Sequence, residues 1–135
     1  MIARADELSL AQLALKGLMP GIPDFYQGAE GPLHHLTDPD NRLAVDWDRL
    51  GCPESSPGPG GFARRKDALT RRLLALRAEH PDLFAAGSLA VEGADGSWRL
   101  LREGPEGRLS LTLAWGLGEP VALEWSPAGA AQAAE

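Results

Sequence analysis

The 135-residue chain carries 13 Lys and Arg against 19 Asp and Glu, a formal net charge of −6, so a nucleic-acid backbone and an anionic membrane surface are both disfavoured as partners. A single cysteine, Cys52, excludes an internal disulfide framework and fits a reducing compartment. No run approaches the roughly 20 apolar residues of a membrane span, and the amino end lacks the basic start and apolar core of a signal peptide, so a soluble cytoplasmic protein of one domain, or a fragment of something larger, is expected.

Residues 3–19 read as a helix, capped by Asp6 or Ser9, with Ser9 and Gln12 in capping-box spacing and Pro20-Gly21 as the stop. Leu8, Leu10, Ala11, Leu13, Ala14, Leu15, Leu18 and Met19 leave it little polar face, so it needs cover on most sides. Residues 22–27 read as a short strand, with Pro23 tolerable near its start and Gly28 and Gly31 turning the chain off it. A long loop over 28–50 and a Gly/Pro-rich linker over 51–61 follow, the latter too poor in context to be a phosphate loop because no Gly-Lys-Ser/Thr comes after Gly58-Pro59-Gly60-Gly61. The next helix spans 62–78. Phe62, Leu69, Leu73 and Leu76 form its apolar stripe, and Arg64, Arg65, Lys66, Arg71 and Arg72 its solvated face. An α-β-loop-α order calls for parallel strand neighbours, and nothing in the first 80 residues supplies them. That half reads as a slice of a larger α/β sheet.

Pro81 ends the second helix, and beyond Gly87 the period becomes two. Leu89 and Val91, then Trp98, Leu100 and Arg102, then Leu109, Leu111, Leu113 and Trp115, then Val121, Leu123 and Trp125 predict four antiparallel strands with one apolar face. Ala94-Asp95-Gly96, Gly104-Pro105-Glu106-Gly107 and Gly116-Leu117-Gly118 are the turns. Trp98, Trp115 and Trp125 share the leucines' phase, which makes them core residues ahead of sugar-stacking platforms. Residues 128–135 are small and unpatterned and read as a frayed, disordered tail.

Chemistry concentrates in residues 20–47, where Asp24, Tyr26, Gln27, Glu30, His34, His35, Asp38, Asp40, Asn41, Arg42, Asp46 and Trp47 stand close together. Carboxylates, amides and a guanidinium bond hydroxyls in fixed pairs, and an aromatic ring covers the apolar side of a sugar, so a polyol is the fitting ligand. A metal fits less well. His34 and His35 diverge without a third ligand at a recognised spacing, and a calcium loop begun at Asp38 would place Leu43 where glycine must turn and Arg49 where glutamate must close. No Gly-x-Ser-x-Gly elbow is present.

Pro20-Gly21-Ile22-Pro23-Asp24-Phe25-Tyr26-Gln27-Gly28 with Glu30, followed by Asp38-Pro39-Asp40-Asn41-Arg42 and Val45-Asp46, resembles the eighth barrel strand and following loop of the maltooligosyltrehalose synthase family, a branch of the α-amylase superfamily of (β/α)8 barrels. Ser9-Leu10-Ala11-Gln12 and Leu15-Lys16 precede it as that family's helix does, and His80-Pro81-x-Leu83-Phe84-x-x-Gly87 continues the likeness more faintly. The resemblance implies an α+β fragment: residues 1–82 the final helix-strand-helix slice of a (β/α)8 barrel, 83–127 a small antiparallel β domain, and 128–135 a tail.

It also implies a (1→4)-α-D-glucan 1-α-D-glucosylmutase, in which the reducing-end α-1,4 link of a maltooligosaccharide becomes an α,α-1,1 link in trehalose formation, without a cofactor. The family's catalytic carboxylates sit on strands four, five and seven, so none falls in this chain, and the chain alone is expected to be inactive. Gln27 and Glu30 would line or buttress the substrate cleft, and Asp38, Asp40, Asn41 and Arg42 would shape the reducing-end or neighbouring sugar subsites. Two departures weaken that loop: Gly31-Pro32 replaces an apolar-aromatic pair, and Leu43-Ala44 replaces an arginine and a proline. The expected partners are an α-glucan and the missing barrel portion as a separate chain. The competing readings are a non-catalytic module docking on a partner barrel and a small α-glucan-binding domain.

Overall fold

The structure is a computed structural model and describes residues 2–31, 44–48, 61–94, 96–114 and 120–129. Helix α1 spans Ile2–Leu18. It starts earlier than Asp6 or Ser9, both of which sit inside it, because Ala3, Arg4 and Ala5 are good helix formers and nothing breaks the run. Helix α2 spans Phe62–Glu79 and is entered from Gly61 in a left-handed conformation (φ 68°), with no side chain capping it. The His80 N–H closes it on the Leu76 carbonyl at 2.9 Å. Pro81 then ends one helix and opens another, α3 (Pro81–Ala86), since proline at the first helical position has no amide to waste. None of the described helices is long and apolar enough to cross a membrane.

Strands β1 (Ser88–Ala94), β2 (Ser97–Gly104), β3 (Gly107–Ala114) and β4 (Val121–Pro127) form an antiparallel meander in the order β1-β2-β3-β4. The register sets Leu100 against Val91 and Leu111, and Leu111 in turn against Leu123. Leu100, Leu109, Leu111 and Leu113 are buried on the inner face, in one core with Ala11, Leu13, Ala14 and Leu18 of α1, Leu73 and Leu76 of α2, and Leu83 and Phe84 of α3. At the α2–α3 junction the His80 ring stacks on Trp125, centroids 3.9 Å apart, and its Nδ1 lies 2.8 Å from Glu106 Oε2. The junction is thereby tied to the sheet.

Several sequence expectations are corrected here. Residues 22–26 form no strand, and 27–30 make a turn. Their composition suits a strand, but strand geometry persists only where a neighbour takes the backbone groups, and among the described residues no segment pairs with them. Trp98 and Val91 share the leucines' phase yet stay 51% and 57% exposed, because the helices cover the middle of the sheet and leave the β1 corner open. Trp125 is part-buried against the core as expected, while Trp115 lies outside the described residues. Ala128, read as tail, belongs to a turn and donates its N–H to the Glu106 carbonyl at 2.8 Å.

Candidate functional site

The segment from the end of α1 to Gly31 carries the sequence-predicted site residues that the structure describes. Helix α1 ends with carbonyls that have no partner within the helix. Arg77 of α2 reaches them, donating from Nη1 to Gly17 O at 2.9 Å and Met19 O at 3.4 Å, and from Nη2 to Gly21 O. Its guanidinium carbon sits 4.5 Å from the centroid of the Phe84 ring. Arg102 of β2, 1% exposed, approaches from the other side. Its Nη1 donates to Leu18 O at 3.2 Å, and its Nη2 to Leu83 O at 2.7 Å, Phe84 O at 3.0 Å and Gly87 O at 3.3 Å. Cations at a helix carboxyl end also meet the negative pole of its dipole.

Further along, Lys16 Nζ donates to Asp24 O at 2.8 Å while lying 4.3 Å over the Phe25 ring. The chain turns at 27–30, with Ala29 N–H on Tyr26 O at 3.0 Å and Gly28 at φ 84°, against Val45. This turn carries both Gln27, which is exposed, and Glu30, which is half-buried. One Glu30 oxygen, Oε2, is buried and has no hydrogen-bond partner among the described residues. Lys66 of α2 closes the segment, donating to Gly31 O at 2.9 Å. Asp38, Asp40, Asn41 and Arg42, the other proposed cleft residues, lie outside the described residues, as do His34 and His35.

Burial holds the Lys66 ammonium below its usual 10.5; the nearby Lys16 charge lowers it further and Glu30 opposes both. Below the folded-state value Lys66 is protonated folded and unfolded, and it contributes no pH dependence. Between that value and 10.5 the unfolded chain binds a proton that the folded chain does not, so Lys66 makes stability rise with pH across that window. Lys66→Met should remove this increment, seen as a flatter rise of the urea midpoint than in the parent chain as the pH approaches 10.5.

Sequence reading missed Lys16, Lys66, Arg77 and Arg102 as parts of this region. Lys66 stood among the arginines of a solvated face, and only Arg102 left a signal, a charge in phase with leucines. Chemically the turn offers a carboxylate and an amide beside ammonium donors, a set able to bond hydroxyls.

No family model matches the chain. Two curated proteins named putative maltooligosyl trehalose synthase, from Mycobacterium tuberculosis strains CDC 1551 / Oshkosh and ATCC 25618 / H37Rv, are each 37% identical over 86 residues, covering 64% of this chain. The chain spans only 10% of the length of these relatives. A solved maltooligosyl trehalose synthase shares its fold at a TM-score of 0.62 with 28% identity, over 85% of this chain and 17% of that one. A second, from Sulfolobus tokodaii and described as hypothetical, gives 0.63 with 31% identity, over 81% of this chain and 15% of that one. By sequence and by fold, the chain is similar to a small part of maltooligosyl trehalose synthases.

Proposed function

We propose that the chain is the carboxyl-terminal portion of a maltooligosyl trehalose synthase, a glucosylmutase that rearranges the reducing-end α-1,4 link of maltooligosaccharides to an α,α-1,1 link. In this reading residues 1–82 complete a (β/α)8 barrel, and the turn at 27–30 with the loop beyond it walls the glucan cleft. Gln27 and Glu30, with Asp38, Asp40, Asn41 and Arg42, contact or support sugar hydroxyls. The supporting observation is that the fold likeness to two solved structures extends over 85% and 81% of the chain, so that it takes in most of the described helices and strands. Because the resemblance puts the reacting carboxylates elsewhere, this chain alone has no mutase activity.

Docking onto the remainder of the barrel follows from the same reading. Ile22 is 98% exposed, and Leu8, Met19, Tyr26 and Trp47 are 46%, 45%, 46% and 64% exposed, a large apolar area for so small a fold. The test uses a mycobacterial relative from which the matching 86 residues are removed. Incubated with maltopentaose, this chain alone should yield no trehalosyl product. Added to the shortened relative it should restore product formation, with the relative's own segment supplied in the same way as the positive control. Product from the chain alone, or restoration by the control segment only, would contradict the proposal.

A further inference from the structure

Residues 17–31 are held by an unusual set of bonds. A strand would give its carbonyls to a ladder, yet residues 22–26 have no ladder among the described residues. Instead the carbonyls of Gly17, Leu18, Met19, Gly21, Asp24 and Gly31 all receive donors from cationic side chains: Arg77, Arg102, Lys16 and Lys66. The donors come from α1, α2 and β2, and Phe84 lies against both guanidinium groups, 4.5 Å from Arg77 and 5.5 Å from Arg102. Capping α1 would need only the bonds at residues 17–19. The bonds at Gly21, Asp24 and Gly31 lie beyond the helix and run to the residue after Glu30.

We infer that Lys16, Lys66, Arg77 and Arg102 are positioning residues, whose bonds to the backbone fix residues 17–31 in the conformation that presents Gln27 and Glu30. The functional sense of that presentation rests on the cleft reading above; the restraint itself does not. Lys66 sets the far end of the segment from outside the shared core, and Arg77 sets the near end. A guanidinium spans three carbonyls at once, which an ammonium, whose three donors sit on one compact nitrogen, does less well.

Amide hydrogen exchange on the purified chain tests this without any sugar. Lys66→Met should speed exchange of the Ala29 amide, which bonds Tyr26 O, and Arg77→Met that of the Met19 amide, which bonds Leu15 O, by roughly tenfold or more, the local opening expected from losing a charge-assisted bond. Amides of β2 and β3 should keep their rates, and Arg77→Lys should recover part of the protection lost in Arg77→Met. Uniform acceleration through the sheet in Lys66→Met would make the lysine a contributor to general stability only, and unchanged exchange over 19–31 in both variants would overturn the inference. If Arg77→Met does not fold, Lys66→Met and Lys66→Gln decide it alone, since among the described residues Lys66 reaches the carbonyl of Gly31 and no other.

Discussion

Replacing Arg102 with methionine should remove a large share of the stability of this chain. The side chain is 1% exposed and its two terminal nitrogens serve four carbonyls, at Leu18, Leu83, Phe84 and Gly87. Methionine fills much of the same stem, so the loss would report the missing donors more than a cavity. Leaving a buried carbonyl without its donor costs about 1–3 kcal/mol, against about 5–15 kcal/mol for the whole of an ordinary domain. There is an opposing term. Burial and the neighbouring Arg77 charge both lower the Arg102 pKa, so removing the cation relieves some desolvation and repulsion. The carbonyls decide the balance: Leu83 O keeps the Gly87 N–H at 3.1 Å, and the others lose the guanidinium donor. A urea midpoint followed by far-ultraviolet circular dichroism measures the outcome, and a loss below about 1 kcal/mol, the net worth of one ordinary hydrogen bond, would show that water or a rearranged neighbour satisfies them.

Arg102 also marks where the sequence stops being readable. Local pattern carried the helices at Ile2–Leu18 and Phe62–Glu79 and the four-stranded meander, since each depends on spacing within one element and on turn residues between neighbours. Residues 22–27 have the composition of a strand, but a strand is a relation between two segments and its partner was never in the pattern. Periodicity likewise assigned Trp98 to the inner face correctly without saying how far the helices reach over that face, and they stop short of it. For the candidate site, Gln27 and Glu30 were visible because they stand in one short stretch of hydrogen-bonding residues. The cations that hold that stretch were not. Lys66 bonds Gly31 across 35 positions, Arg77 bonds Gly21 across 56, and Arg102 bonds Leu18 across 84, and each pairing exists only after the core has brought α1, α2 and the sheet together.

That core has a close contact where α1 packs against α2, and there a pair of substitutions should show opposite behaviour alone and together. Leu73 is 0% exposed, and a Cβ built on Gly17 would lie 2.8 Å from its Cδ1, 2.9 Å from its Cδ2 and 3.1 Å from its Cγ. Leu73→Ala should therefore cost about 2–5 kcal/mol, as deletion of a buried leucine does when the surroundings cannot fully collapse. Gly17→Ala by itself sets two effects against each other. Alanine in a helix gains about 1 kcal/mol over glycine, whereas forcing an extra carbon into a packed contact costs typically about 1–3 kcal/mol. Because the close contact involves the branch carbon Cγ as well as the methyl ends, rotation of Leu73 about χ2 alone cannot relieve it, and the net effect should be a loss. In the Leu73→Ala chain the obstruction is gone, so Gly17→Ala should instead stabilise, by the helix preference and by a methyl filling part of the space. The coupling between the two sites should fall within about 0.5–3 kcal/mol, read from urea midpoints of the four chains. A stabilising Gly17→Ala in the parent background would mean that α1 can move away from α2 at low cost. Arg77, whose reach to Gly17, Met19 and Gly21 depends on that separation, would then hold the segment less firmly than its distances imply.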